Sequence, residues 1–352
     1  MEENRVFEPI QISCVTVPNR IVMAPMDTNL ATKDGYVTDE LIDYYAKRAA
    51  GGVGLITVEN TSVSAKRMVK NEYSLALYDD RFIDGLSKLA SAIKREGAVA
   101  SLQLGDCLYL SNRKPSDLSL EEVEEVIDDF TEAAVRVKEA GFQIVDFHMA
   151  HRYTVADFLS KYANKRTDQY GGNAAGRAKL AEMIVRKTKE RLGEDFPVIC
   201  RINGDEYMVG GNTLVDATYI SKKLVRAGAD AIHVSAGGRL ELGGNRSYSS
   251  YRQVATHDMQ DGLNVHLAEQ IKKHINVPVI TVGKIGSPSL IEDIIQNEKA
   301  DMVALGRAVI ADAEFVNKMK NNEKHRKCIW KNDCVRLYLK NEPVKCVTYE
   351  GK

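Results

Sequence analysis

The chain has 352 residues, 44% hydrophobic and 28% charged, with 48 basic residues against 49 acidic ones. The resulting formal charge of −1 excludes bulk attraction to nucleic acid or to an anionic membrane. No apolar run approaches the roughly 20 residues of a bilayer span. The opening MEENRVFEPIQIS lacks the basic and apolar regions of a secretory signal, so the cytoplasm is the expected compartment.

Taken in order, the chain repeats one beat: a short apolar run, a loop, then a longer amphipathic stretch. Residues 1–18 read as a small plug or hairpin at the bottom of the fold. Strands are expected at Arg20–Ala24, Gly54–Val58, Val99–Gln103, Ile144–His148, Val198–Ile202, Ala231–Ser235, Val279–Val282 and Met302–Leu305. Most are continuous rather than alternating apolar runs, as buried parallel strands are. Between them, helices are expected at Asp39–Ala49, Asp80–Arg95, Leu118–Ala140, Ala174–Leu192, Val215–Ala227, Asn264–His274, Ser287–Gln296 and Asp312–Lys320. Glycines 97, 141, 193 and 228 close four of these helices as C-caps. Alternation of strand and helix implies βαβ units on a parallel sheet. Eight units imply closure into a (β/α)₈ TIM barrel over residues 1–325, followed by a tail over 326–352. An open dinucleotide-binding sheet is disfavoured, because the first strand runs into Ala24-Pro25-Met26-Asp27 rather than a glycine-rich turn.

In such a barrel the active site forms at the C-terminal ends of the strands. That rule selects Asp27, Thr28, Glu59, Asn60, Gln103, His148, His151, Tyr153, Arg201, Asn203, Ser235, Lys284 and Arg307 as candidates. The turns at Gly283-Lys284 and Gly306-Arg307 offer backbone N–H groups and cations that suit a phosphate; the alternative is turn glycines beside solvated basic residues. His148 and His151, three apart, reach one ligand only if the chain turns at Met149–Ala150. They then suit either donation to a developing oxyanion or, with Asp146, a metal ion. The bland alternative is one satisfied core histidine and one surface histidine.

The run FQIVDFHMAHRYTVADFLSKYANKRTDQYGGNAAGR, Phe142 to Arg177, resembles the strand-4 signature of the Old Yellow Enzyme family, the NADH:flavin oxidoreductases and ene-reductases. Asn19–Met26, Gln103-Leu104 and Asp301–Arg307 are similar to further family stretches and occur in family order. The resemblance implies FMN across the barrel mouth. Ala24, Pro25, Met26 and Asn60 would touch it, Gln103 would meet its pyrimidine edge, and Arg201 would sit where the reduced ring gathers negative charge. Gly283, Lys284, Gly306 and Arg307 would hold its phosphate. His148 and His151 would grip the carbonyl oxygen of an α,β-unsaturated substrate and Tyr153 would supply a proton, with hydride from flavin N5 and NADH or NADPH as donor. The expected partners are that small molecule and a homo-oligomer, with no nucleic acid or membrane.

Several positions depart from the family pattern. Arg152 stands where glycine is common, Gly105-Asp106-Cys107 replaces the usual segment after Gln103, and Asp27 stands where a donor to the flavin is common. Thr28 is the expected replacement donor. Larger relatives, of the dienoyl-CoA reductase and enoate reductase type, carry a [4Fe–4S] cluster on four cysteines after the barrel. Here Cys328, Cys334 and Cys346 fit that spacing with Lys331 in one cysteine's place, so the motif reads as vestigial. The sequence stops at Lys352, so those relatives' nucleotide-binding domains are expected to be absent. Two other functions stay open: a metal-dependent barrel hydrolase or lyase on His148, His151 and Asp146, and a flavin-binding protein with lost or redirected catalysis.

Overall fold

Strand alternation decides which side chains face the barrel axis, and that sorting builds the fold. The computed structural model describes residues 4–68, 72–238 and 252–349. A short antiparallel hairpin, β1 (Ile10–Ile12) and β2 (Val15–Val17), comes first. Eight parallel strands come after it: β3 (Ile21–Met23), β4 (Leu55–Ser62), β5 (Val99–Gly105), β6 (Ile144–Met149), β7 (Val198–Asn203), β8 (Ala231–Ser235), β9 (Val279–Val282) and β10 (Met302–Leu305). Each pairs with the next and β10 returns to β3, so the sheet closes as the (β/α)₈ barrel.

Inward residues at the base of the strands are apolar. Leu55, Val99, Ile144, Ile199, Ala231, Ile280 and Met302 pack with Ile12 and Val17 of the hairpin, which plugs the floor. Two residues further along five strands the inward positions turn polar: Thr57, Ser101, Asp146, Arg201 and His233, all buried. Outward residues such as Ile56, Leu102 and Phe147 join the larger core against the helices.

The described helices are α1 (Asp39–Ala50), α2 (Ile83–Arg95), α3 (Leu120–Glu139), α4 (Thr154–Leu159), α5 (Ala174–Leu192), α6 (Leu214–Ala227), α7 (Val265–Lys272), α8 (Pro288–Gln296), α9 (Arg307–Ala311), α10 (Phe315–Lys320) and α11 (Asp333–Leu339). Their starts are chemically marked. Thr38 caps α1, and Ser119 with Glu122 forms a capping box on α3. None is long and apolar enough to cross a membrane among the described residues.

Three helices, α4, α9 and α11, lie outside the sequence expectations. All six residues of α4 are buried, so it has no polar face and no helical period to read. Strand β4 runs four residues past the expected Val58. Its continuation, Glu59 to Ser62, is polar yet buried, and an apolar-run criterion stops short of it.

Ile12→Ala should destabilise the barrel by about 2–4 kcal/mol, because the floor around it cannot collapse. Urea denaturation checks this, and an unchanged midpoint would show that the hairpin merely decorates the barrel.

Candidate active site

The C-terminal strand ends surround one cavity of about 330 Å³. Ala24, Pro25, Met26 and Asp27 reach it beyond β3, Asn60 from β4 and Gln103 from β5. His148 comes from β6, His151 and Tyr153 from the turn after it, and Arg201 from β7. Gly283 and Lys284 follow β9, and Gly306 and Arg307 follow β10. The thirteen residues singled out for cofactor and catalysis thus share a single lining.

One end of the cavity is polar. Asn60 is 4% exposed, and neither its amide oxygen nor its amide nitrogen has a hydrogen-bond partner among the described residues. The Nε of Arg201 is also buried without one. Buried polar groups seek partners, so a polar ligand edge belongs here. Burial lowers the Arg201 guanidinium from its ordinary value, and Asp146, Tyr153 and Asp27 work against that. Gln103 Nε2 donates to Asp146 Oδ1 at 2.7 Å.

The chain turns sharply just after β6. His151 and Arg152 are both left-handed, with φ of 59° and 64°, a conformation that costs non-glycine residues about 1–2 kcal/mol each. The turn brings the rings of His148 and His151 to 5.1 Å and those of His148 and Tyr153 to 4.0 Å. His151 Nε2 lies 2.7 Å from the Ser235 hydroxyl at the end of β8. Burial, and then the positive field of Arg201, hold His151 well below the ordinary imidazole range, so it is neutral near pH 7. Two imidazoles and a phenol therefore face one volume as hydrogen-bonding groups beside a fixed cation.

The tail supplies part of the wall. Trp330, Cys334, Val335, Tyr338 and Leu339 line it. Asn29 Nδ2 donates to the carbonyls of Tyr338 at 3.0 Å and Glu342 at 2.9 Å, and Val344 N donates to Thr28 O at 2.8 Å. Arg307 bonds the Asn332 side chain and the Ala255 carbonyl, and its guanidinium stacks 4.6 Å over Trp330. Val335, Tyr338 and Leu339 escaped the sequence reading, although they recur at the i, i+3, i+4 spacing of a helix face. The cysteine motif in the same stretch is the louder signal. Lys284 is not a bare cation: its Nζ bonds the carbonyls of His257 and Met259 and lies 3.4 Å from Asp261.

The departures sort differently. Arg152 turns from the cavity to Asp157 at 2.5 Å, so it neither narrows the cavity nor waits there for an acidic substrate. Asp106 is fully buried, takes Arg67 Nε at 2.6 Å and stays out of the lining. Asp27 does line the cavity, whereas Thr28 does not: its hydroxyl donates to Glu59 at 2.6 Å, which corrects its expected role as replacement donor. Cys328, Cys334 and Cys346 line a second, smaller pocket together with Lys331. Burial pushes the Cys334 thiol up to about 11 and raises that of Cys328. Among the described residues no three His, Cys, Asp or Glu side chains are arranged to hold a metal ion, which leaves the His148, His151 and Asp146 alternative without its ligand set.

Known proteins resemble this chain along most of its length. The family described as NADH:flavin oxidoreductase / NADH oxidase matches residues 5–107 and 107–326. The chain is 39% identical to a protein named NADH oxidase of Thermoanaerobacter brockii, over 92% of this chain and 52% of that one. It is 32% identical to a protein named NADPH dehydrogenase of Listeria monocytogenes, over 89% of this chain and 93% of that one. The chain therefore spans about half the length of the first relative and nearly all of the second. A solved 2-naphthoyl-CoA reductase superposes with a TM-score of 0.90 at 24% identity, covering 97% of this chain and 56% of that one, a likeness of fold.

Two outcomes are expected from this geometry. Burial, and then the charge of Asp27, raise Glu59 from 4.5 to about 8. The native protein keeps that proton while the unfolded chain releases it, so stability falls as pH rises from about 4.5 to about 8. Glu59→Gln should remove this slope in denaturation midpoints, and parallel curves for the two proteins would refute the assignment. Separately, iron and acid-labile sulfide should be absent in stoichiometric amount, since Lys331 is a poor ligand beside the three cysteines; a full complement would show that the tail still carries a cluster.

Proposed function

The chain belongs to the NADH:flavin oxidoreductase / NADH oxidase family, and from that premise we propose that it binds FMN in the barrel cavity and reduces the activated C=C bond of α,β-unsaturated carbonyl compounds with NADH or NADPH. The residues fit such a group. Asn60 and Arg201 bring unpartnered polar atoms to the lining, and tail residues such as Val335 and Leu339 bring apolar ones. Gly283 has φ of 137°, and a Cβ there would meet the Asn264 side chain at 2.6 Å, so this turn needs a glycine. FMN, when bound, supplies the hydride chemistry, taking two electrons from the nicotinamide and passing them to the acceptor.

The chain's own residues do the rest. Arg201 is a buried cation whose field favours negative charge on a ligand edge. Gln103 and Asn60 hydrogen-bond that edge, while Gly283, Gly306 and Arg307 hold the phosphate end. Lys284 contributes through its backbone, its ammonium being engaged by carbonyls. His148 and His151 bind the substrate's carbonyl oxygen by hydrogen bonds and draw electron density from the alkene. Tyr153 delivers the proton to the α-carbon. The convergence of His148, His151 and Tyr153 on one cavity that Arg201 also lines carries this reading.

The visible spectrum of the FMN-loaded protein tests it. Flavin bands should bleach with anaerobic NADH or NADPH and return on adding 2-cyclohexenone. Tyr153→Phe should slow that return by about 100-fold or more while sparing the bleaching. Bands that return only on admitting air would favour dioxygen as acceptor, in line with the name of the Thermoanaerobacter relative. Failure to bind FMN at all would sink the proposal.

A further inference from the structure

Gln103 and Asp146 stand opposite one another where β5 pairs with β6. Both are buried, and the 2.7 Å contact runs from the amide nitrogen to the carboxylate. A carboxylate only accepts hydrogen bonds. Turning the amide over would set its oxygen against Asp146 Oδ1 at the same separation, two acceptors facing each other, so the amide has one orientation. What is left for the cavity is Oε1 and the second N–H of Gln103, an acceptor and a donor side by side. Their complement is a ring N–H next to a carbonyl, the edge of a lactam or an imide. The other carboxylate oxygen of Asp146 lies 3.7 Å from His233 Nδ1. Arg201, paired with His233 across β7 and β8, feels the Asp146 charge.

We propose that Asp146 is a positioning residue: it fixes the Gln103 amide so that the cavity selects a ligand edge carrying N–H beside C=O, and it offsets part of the Arg201 field on that edge. The inference rests on the flavin reading above and assigns that reading a selection device one layer below the cavity wall. An asparagine at 146 can present either its oxygen or its nitrogen to Gln103. It would let the amide turn over and would leave Arg201 uncompensated.

The test uses the full chain reconstituted with FMN and with N3-methyl-FMN, which lacks the N–H, with affinities read by flavin fluorescence. The wild type should prefer FMN by about tenfold or more. Asp146→Asn should reduce that preference to about threefold or less, and Asp146→Glu should restore much of it. The flavin midpoint potential should become more positive in Asp146→Asn, a readout that a purely structural role would not move in a set direction. An unchanged preference together with an unchanged potential overturns the inference while leaving the flavin reading intact. A wild type that binds neither flavin overturns both. If Asp146→Asn does not fold, the wild-type Gln103 side-chain amide, assigned by its loss in Gln103→Leu, decides the matter by NMR. One amide proton at low field and slow to exchange supports the carboxylate bond, and two ordinary, rapidly exchanging protons overturn it.

Discussion

The seam between β10 and β3 is the constraint on which the site depends. Val303, Ala304 and Leu305 register against Ile21, Val22 and Met23, and Ala24 N reaches Leu305 O at 2.9 Å. This pairing joins the first barrel strand to the last and removes both sheet edges. It also sets Met26 against Gly306, where a Cβ would meet the sulfur at 3.0 Å. Without closure, the residues after β3 and those after β10 would line opposite rims of an open sheet instead of one mouth.

Closure also turns the period-two alternation of each strand into layers. The inward residues are apolar against the hairpin and become polar on five strands toward the cavity, where Arg201 joins its lining. A buried cation at Arg201 is tolerable because Asp146 lies below it and the cavity lies above. The same cation helps keep His151 neutral. His151 therefore acts through hydrogen bonds beside a fixed cation.

Much of this was legible in the sequence. Continuous apolar runs such as Met302–Leu305 read as buried parallel strands, and strand-end polar residues must then converge. That is why His148, Gln103 and Arg201 could be placed at one mouth. What escaped legibility had physical causes. A fully buried helix such as Thr154–Leu159 shows no amphipathic stripe. The direction of Arg152 was settled by Asp157, a partner five residues on whose burial is a tertiary fact. Thr28 was taken up by Glu59 from a neighbouring strand, a pairing that neither propensity nor spacing encodes.

The cavity wall made by Trp330, Val335, Tyr338 and Leu339 has a consequence for biogenesis. These residues are translated after β10, so the ring of strands can close on a nascent chain while the mouth still lacks a side. The stretch from Trp330 to Val344 is still inside or near the ribosomal exit tunnel at that moment. A ligand arriving early would meet an open bowl with ready exchange, and retention would begin only when Asn29 and Thr28 capture the emerging segment. Loading and latching are thereby separated in time by the order of synthesis.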